Sequence, residues 1–169
     1  MDHAKSFKSE NLERDCGGCT RSPFYEKYIQ YAPTPSPHEF VLDFLQNYTN
    51  RDYNRSEPVV QMICEVKKVY KCQHRLLHTV FSTRKFSKME LMNLPTNHVN
   101  DGHSISWQKL IDLFTMGIIL QEIAESRIDM ELHYDVQDML IYALKHVNQW
   151  FVEIGGWATF VNHYKNMIF

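Results

Sequence analysis

The sequence predicts an all-α protein, a bundle of seven or eight helices around a central hydrophobic helix. Two observations predict this class. Apolar residues recur at spacings of three and four along most of the chain, which is the period of a helix buried on one face. No stretch alternates polar and apolar residues over a length that would form a sheet, and no segment repeats at a fixed period. Both observations favour helices packed on helices.

The composition is that of one globular domain. The chain has 169 residues, of which 44% are hydrophobic and 22% charged, with a formal net charge of −2. A chain of this length can bury a sizeable core without disulfides or a structural metal. The weakly acidic balance argues against a nucleic-acid partner, because such proteins carry a basic surface. No apolar run approaches the roughly 18 residues of a membrane span, so we expect no direct membrane span in this chain.

Residues 1–35 are predicted to be a flexible N-terminal extension, and residues 36–169 the folded domain. The extension contains glycines and prolines, has little periodicity and lacks the apolar centre of a secretory signal. The four cysteines then suit a reducing compartment, which predicts a cytoplasmic protein. Cys16 and Cys19 have a metal or redox spacing, but no second close pair completes a zinc site. We therefore expect an exposed turn there, with no metal and no cofactor.

Two helix-start signals open the domain. Ser36–Glu39 combines an N-cap serine, a proline at the first helical position and an early carboxylate, and begins an amphipathic helix. Ser56–Pro58 repeats the signal and begins a second, longer amphipathic helix of about six turns. Pro95 and Gly102 then interrupt the pattern, so only short helical turns are expected around residues 88–94.

The central helix is predicted over residues 106–123. It is apolar on nearly every face from Leu110 to Leu120, as expected for a helix enclosed by others. An amphipathic helix follows over residues 132–150 and is predicted to stop at Gly155-Gly156. A last short helix is predicted over residues 157–165.

Two motifs in this half of the chain carry a family resemblance. The first begins at Asp101-Gly102, continues through Ser106–Ile111 and reaches Gly117, and the second is Trp150–Val161, which contains Gly-Gly-Trp. They resemble the first and second homology motifs of the Bcl-2 family of apoptosis regulators. With the first two helices included, the resemblance covers roughly residues 37–168 and implies a Bcl-2-like helical bundle.

The third homology motif of that family is not matched. Its best fit begins at Ile63 and places Lys67-Lys68 where the family has a small residue and an aspartate. The resemblance therefore implies a pro-survival, sequestering protein rather than a pore-forming one. The short chain and its divergent motifs suit a viral homologue that blocks the death of its host cell.

The function that the resemblance implies is inhibition of apoptosis without catalysis. Pro-survival members hold the amphipathic death-motif helix, the Bcl-2 homology 3 helix, of pro-apoptotic Bcl-2 proteins in a hydrophobic groove. Such partners would recruit this cytoplasmic protein to the mitochondrial outer membrane. Self-association through an exposed groove, giving a homodimer, is a further expectation.

The expected groove lies on the second helix, the short turns after it and the central helix. Helix-in-groove recognition needs an apolar trough and one charge that fixes the register of the ligand. Lys109 is the candidate charge, because it stands where the family has an arginine, and Ser106 and Gln108 replace the family's asparagine and glycine. The candidate partner-binding residues are Val66, Val69, Tyr70, Leu77, Phe81, Leu91, Leu94, Ser106, Trp107, Lys109, Leu110 and Phe114. For the apolar ones, an ordinary core position is the competing interpretation.

Three alternatives stay open at this point. The chain could be a pore-forming or degenerate Bcl-2-like member. In a different class, it could be a small metal-dependent enzyme that uses His74 and His78, which are four residues apart on one helix face but lack the glutamate of a zinc protease motif. The basic residues Lys67, Lys68, Lys71 and Arg75 could attract an acidic helix or form a solvated face.

Overall fold

The computed structural model describes residues 34–49, 57–99 and 104–165, and every regular element within them is an α-helix. The helices are α1 (Pro37–Asn47), α2 (Glu57–Ser82), α3 (Lys88–His98), α4 (Trp107–Arg127), α5 (Met130–His146), α6 (Asn148–Glu153) and α7 (Gly156–Lys165). The predicted all-α class is confirmed. The predictions for residues 1–33, including Cys16 and Cys19, fall outside the described residues.

The first two helices begin where the sequence signals predict. The hydroxyl of Ser36 accepts a hydrogen bond from the backbone N–H of Glu39 at 3.1 Å, and Pro37 takes the first helical position. Helix α1 then buries Phe40 and Phe44. Helix α2 starts at Glu57 and runs for 26 residues, about seven turns where about six were predicted, and the predicted N-cap lies outside the described residues.

Helix α3 is longer than predicted. It continues through Pro95 to His98, where only short turns as far as Leu94 were expected. Proline removes one helical hydrogen bond, but the carbonyl of Pro95 still accepts from Val99 N–H at 2.8 Å, and the ring is buried. Burial of the ring therefore offsets part of the cost of a proline inside the helix.

The predicted helix over 132–150 is in fact two helices. Val147 takes φ −96° and ψ 9°, outside the α-helical region, so α5 ends at His146 and α6 begins at Asn148. The prediction of one continuous helix was wrong because Val147 is buried on the same apolar stripe. A pattern of buried residues shows which side faces the core, but it does not report a local change in ψ.

Helix α4 is enclosed along most of its length. Every residue from Leu113 to Gln121 is buried, and the hydroxyl of Ser106 caps the helix by accepting from Lys109 N–H at 3.3 Å. The helix ends at Ile128, whose φ of 54° and ψ of 43° are left-handed. Asp129 follows, and its carboxylate accepts from Leu132 N–H at 3.0 Å to cap α5.

The described residues fall into two compact units. The first contains the described residues up to Cys64 together with those from Phe151 onward, and the second extends from Glu65 to Trp150. Helix α2 contributes its beginning to the first unit and the rest to the second.

The core of the first unit is a set of aromatic rings around Trp157. The indole stacks on Phe40 with 4.0 Å between centroids, and it meets Phe151 and Phe160 edge to face. Gly155 and Gly156 precede it with φ of 101° and 68°. A side chain on Gly155 would also meet the Thr159 hydroxyl, so the Gly-Gly-Trp sequence has a steric reason.

In the second unit, α5 packs closely against α4 and α3 also contacts both helices. Gly117 allows the close approach, because a Cβ at that position would lie 3.0 Å from a methyl carbon of Leu140, which is fully buried. Gln121 adds a hydrogen bond from its Nε2 to the backbone oxygen of His133 at 3.0 Å.

The Gly117 contact predicts a measurable loss of stability on enlargement. We expect Gly117→Val to lower the free energy of unfolding by about 1–3 kcal/mol, because the valine methyl groups would overlap the Leu140 side chain. Urea denaturation checks this. Glu125→Val, on the exposed end of the same helix, controls for valine's helix propensity and should cost about 0.5 kcal/mol or less. Equal effects of the two substitutions would contradict the role of Gly117.

Candidate partner-binding site

Burial divides the predicted groove residues into two sets. One set lies in the core and comprises Val66, Phe81, Leu91, Trp107, Leu110 and Phe114. The other set is half-buried and comprises Val69, Tyr70, Leu77, Leu94, Ser106 and Lys109. Members of the first set stabilise the fold, and those of the second reach the surface beside them.

The second half of α2 carries an uncovered row of apolar side chains. Val69 is half-buried, whereas Leu76 is 69% exposed and Val80 is 44% exposed. Positions i, i+7 and i+11 lie on one side of a helix, so these three residues share that side, which we call the α2 stripe. Leu77 lies next to it and is half-buried. The sequence periodicity indicated an apolar helix but did not show that this side is exposed.

The basic side chains of α2 lie on other sides of this helix than the stripe. Lys68 and Arg75 are about a third of a turn away, and Lys71 is nearly on the opposite side of the helix. Lys68 forms an ion pair with Glu65 at 3.1 Å, whereas Arg75 is exposed. Glu65 is buried while Lys68 is exposed, and the Glu65 carboxylate offsets the charge of Lys68. Arg75 is therefore the main source of positive charge beside the stripe.

Tyr70 is held by a carboxylate of the central helix. Its hydroxyl donates to both carboxylate oxygens of Glu122, at 2.8 and 2.9 Å, and its ring stacks on His74. Burial, followed by the hydrogen bond and the negative charge of Glu122, raises the pKa of Tyr70 to about 12. Tyr70 therefore fastens α2 to α4. The two residues are far apart in the sequence, and no local pattern could have paired them.

Lys109 lies in the first turn of α4. Its backbone N–H is capped by Ser106, and its side chain is half-buried. Gln108 beside it is exposed and donates from Nε2 to Asp112 Oδ1 at 3.0 Å. Ser106 thus has a structural role as a helix cap, and the charge at this end of α4 comes from Lys109 together with the positive end of the helix dipole.

Two further residues of α4 and α5 were not foreseen. Arg127 donates from its guanidinium to the backbone oxygens of Ser82 and Arg84, which ties the end of α2 to the end of α4. Asp138 on α5 accepts from Lys88 Nζ at 3.2 Å and so fastens the start of α3. These residues position the helices of the second unit without being part of the apolar row.

The histidines proposed for a metal-dependent enzyme are placed differently from each other. His74 lies flat on the Tyr70 ring, with Nδ1 3.0 Å from the Tyr70 backbone oxygen, while His78 is exposed. Among the described residues, no group of three or more histidine, cysteine or acidic side chains could hold a metal ion. None of the helices in the described ranges has the length and apolar character needed to cross a membrane.

Comparison with family models, with curated proteins and with solved structures finds no match for this chain. The interpretation of the site therefore depends on its own residues.

The Tyr70 contact predicts that this tyrosine ionises late. Its pKa is raised from 10.0 to about 12, so the stabilisation it provides is complete below pH 10 and is lost as the pH rises toward 12. Phenolate absorbance during an alkaline titration measures this ionisation. Tyr70→Phe should reduce the absorbance change near pH 12 by one phenolate, and Glu122→Gln should lower the pKa of Tyr70. Tyr134→Phe, at an exposed tyrosine, should leave the change near pH 12 in place. An absorbance change near pH 12 that Tyr70→Phe does not reduce would contradict the assignment.

Proposed function

We propose that this chain is a pro-survival Bcl-2-like protein that captures the amphipathic death-motif helix of pro-apoptotic Bcl-2 proteins and so inhibits apoptosis. The observation that carries the proposal is the α2 stripe, where Leu76 and Val80 are exposed on a helix that also supplies buried residues to the core. Covering these side chains with a ligand helix would release water from apolar surface, which is the main driving force of such binding.

The stripe has the spacing that a ligand helix requires. An amphipathic helix presents apolar side chains at i, i+3 or i+4, and i+7, and two helices pack by placing such rows into each other's grooves. The three residues of the stripe are seven and four positions apart, so they offer apolar contacts along about three turns, with Cys72 and Gln73 in the turn between Val69 and Leu76. Half-buried Leu77 and Leu94 would extend the contact toward α3.

Charge supports the choice of ligand and its register. The death motif carries an aspartate that a pro-survival partner holds with an arginine, and Lys109 stands at that place in the motif. Lysine keeps the positive charge but cannot form the two parallel hydrogen bonds of arginine, so we expect a weaker or narrower preference among ligands. Arg75 adds positive charge beside the stripe that would attract an acidic helix.

The Gly-Gly-Trp motif supports the same family. Gly155 and Gly156 both have positive φ, and Trp157 is buried against Phe40. Each residue of the motif therefore has a structural task that another residue type would perform poorly. The all-helical character of the described residues agrees with the fold expected for a protein with these motifs. Under this proposal the protein is cytoplasmic and reaches the mitochondrial outer membrane through its partners.

Calorimetric titration with a panel of death-motif peptides tests the proposal. We expect binding to at least one peptide, and we expect Lys109→Glu to weaken that binding about tenfold because it reverses the charge that meets the ligand's aspartate. Leu76→Asp should also weaken it by placing a charge in the apolar contact. Lys85→Glu makes the same change of net charge at an exposed position before α3 and should leave the affinity unchanged.

Binding to none of the peptides would refute capture of the death motif. Binding that Lys109→Glu and Leu76→Asp leave unchanged would place the ligand elsewhere. Release of dye from liposomes by the purified protein would favour the pore-forming alternative instead.

A further inference from the structure

Helix α5 has an exposed face whose residues are arranged symmetrically. The face consists of Glu131, Tyr134, Asp138, Tyr142 and Lys145, which we call the α5 outer face. Tyr134 is 57% and Tyr142 37% exposed, a large area of aromatic surface to leave in water. The spacings of three, four, four and three keep the five residues on one side of the helix. The order is acid, tyrosine, acid, tyrosine, base, with Asp138 at the centre.

We propose that the α5 outer face pairs with the same face of a second copy of this chain, with the two α5 helices antiparallel. A two-fold axis near Asp138 brings Tyr134 opposite the partner's Tyr142, and Tyr142 opposite the partner's Tyr134. The same axis brings Glu131 opposite the partner's Lys145, and the reverse. One arrangement thus covers both aromatic side chains and creates two pairs of opposite charge.

The central acid is compensated within each chain. An axis near Asp138 places this carboxylate close to its own copy, which alone would be repulsive. Lys88 Nζ lies 3.2 Å from Asp138 Oδ2 and 3.9 Å from Asp135 Oδ1, so each copy brings a cation to the centre. Two Asp138 carboxylates and two Lys88 ammonium groups can then alternate around the axis, so the lysines offset the repulsion between the two Asp138 side chains.

Charge also selects this arrangement over its competitors. A parallel pairing would place Glu131 against its own copy and Lys145 against its own copy, which gives two repulsive pairs. Sliding the antiparallel pair by one turn would separate Glu131 from the partner's Lys145 and Tyr134 from the partner's Tyr142. The antiparallel register centred on Asp138 is therefore the one that satisfies charge and aromatic contact together.

The pairing should be weak and should depend on concentration. Glu131 and Lys145 are fourteen positions apart, which is about 21 Å along a helix. A contact of that length between two single helices buries less surface area than the interfaces of permanent dimers do. The proposal concerns a surface different from the α2 stripe, and it does not depend on the proposed function.

Sedimentation velocity of the full chain over a series of concentrations tests the pairing. We expect a monomer–dimer equilibrium that Glu131→Lys weakens about tenfold, because both charge pairs become repulsive. Lys145→Glu should weaken it to the same extent. An equimolar mixture of the two variants should recover association, because in the mixed dimer the introduced lysine would meet the introduced glutamate and the other pair would keep its native residues.

Further variants separate this interface from other contacts. Tyr134→Ala should weaken the dimer through loss of aromatic surface. Lys85→Glu, an exposed charge in the connection before α3, and Lys109→Glu should leave the dimer unchanged. Circular dichroism checks that each variant keeps its helices. A monomer at every concentration, a dimer insensitive to both charge reversals, or a mixture that fails to recover association would each overturn the proposal.

Discussion

The enclosure of α4 is the constraint on which the rest of the second unit depends. From Leu113 to Gln121 no residue of this helix is left at the surface, so apolar side chains must cover it from several directions. Gly117 provides the close approach of α5 that such cover needs. Within the second unit, α5 packs closely against α4 and α3 also contacts it. Residues left outside that arrangement are then available for binding.

Long-range polar contacts fix the position of one helix along another, which apolar packing alone leaves undetermined. Hydrophobic burial has no direction, so it fixes which faces are inside better than it fixes how far a helix slides along its neighbour. The Tyr70–Glu122 hydrogen bonds, the Arg127 bonds to the end of α2 and the Lys88–Asp138 pair each join segments distant in the sequence. They hold α2 and α3 at defined positions beside the α4–α5 hairpin. Any surface that combines these helices inherits its shape from them.

Much of the helical layout could be predicted from the sequence, because capping and periodicity are local. Ser36 and the apolar run of α4 illustrate this, since each acts within a few turns of the chain. The break at Val147 could not be predicted, because a buried apolar residue continues the helical pattern whatever its ψ. The continuation of α3 through Pro95 could not be predicted either, because the ring is buried by tertiary packing. The candidate binding site could be predicted from the sequence less well than the helices. The periodicity of α2 marks its apolar side chains, but which of them the other helices cover depends on packing over the whole second unit. Lys109 is a prediction of the motif alone.

The connection between α4 and α5 has a consequence for the order of folding. Ile128 closes one helix in a left-handed conformation and Asp129 caps the next, so the hairpin closes with almost no loop. A short loop costs little chain entropy, and the contacts it allows join residues close in the sequence. We expect this hairpin to form early, before segments such as α1 and α7, whose partners in the first unit lie at opposite ends of the chain. The enclosed helix α4 would then be the first helix to pack against a neighbour.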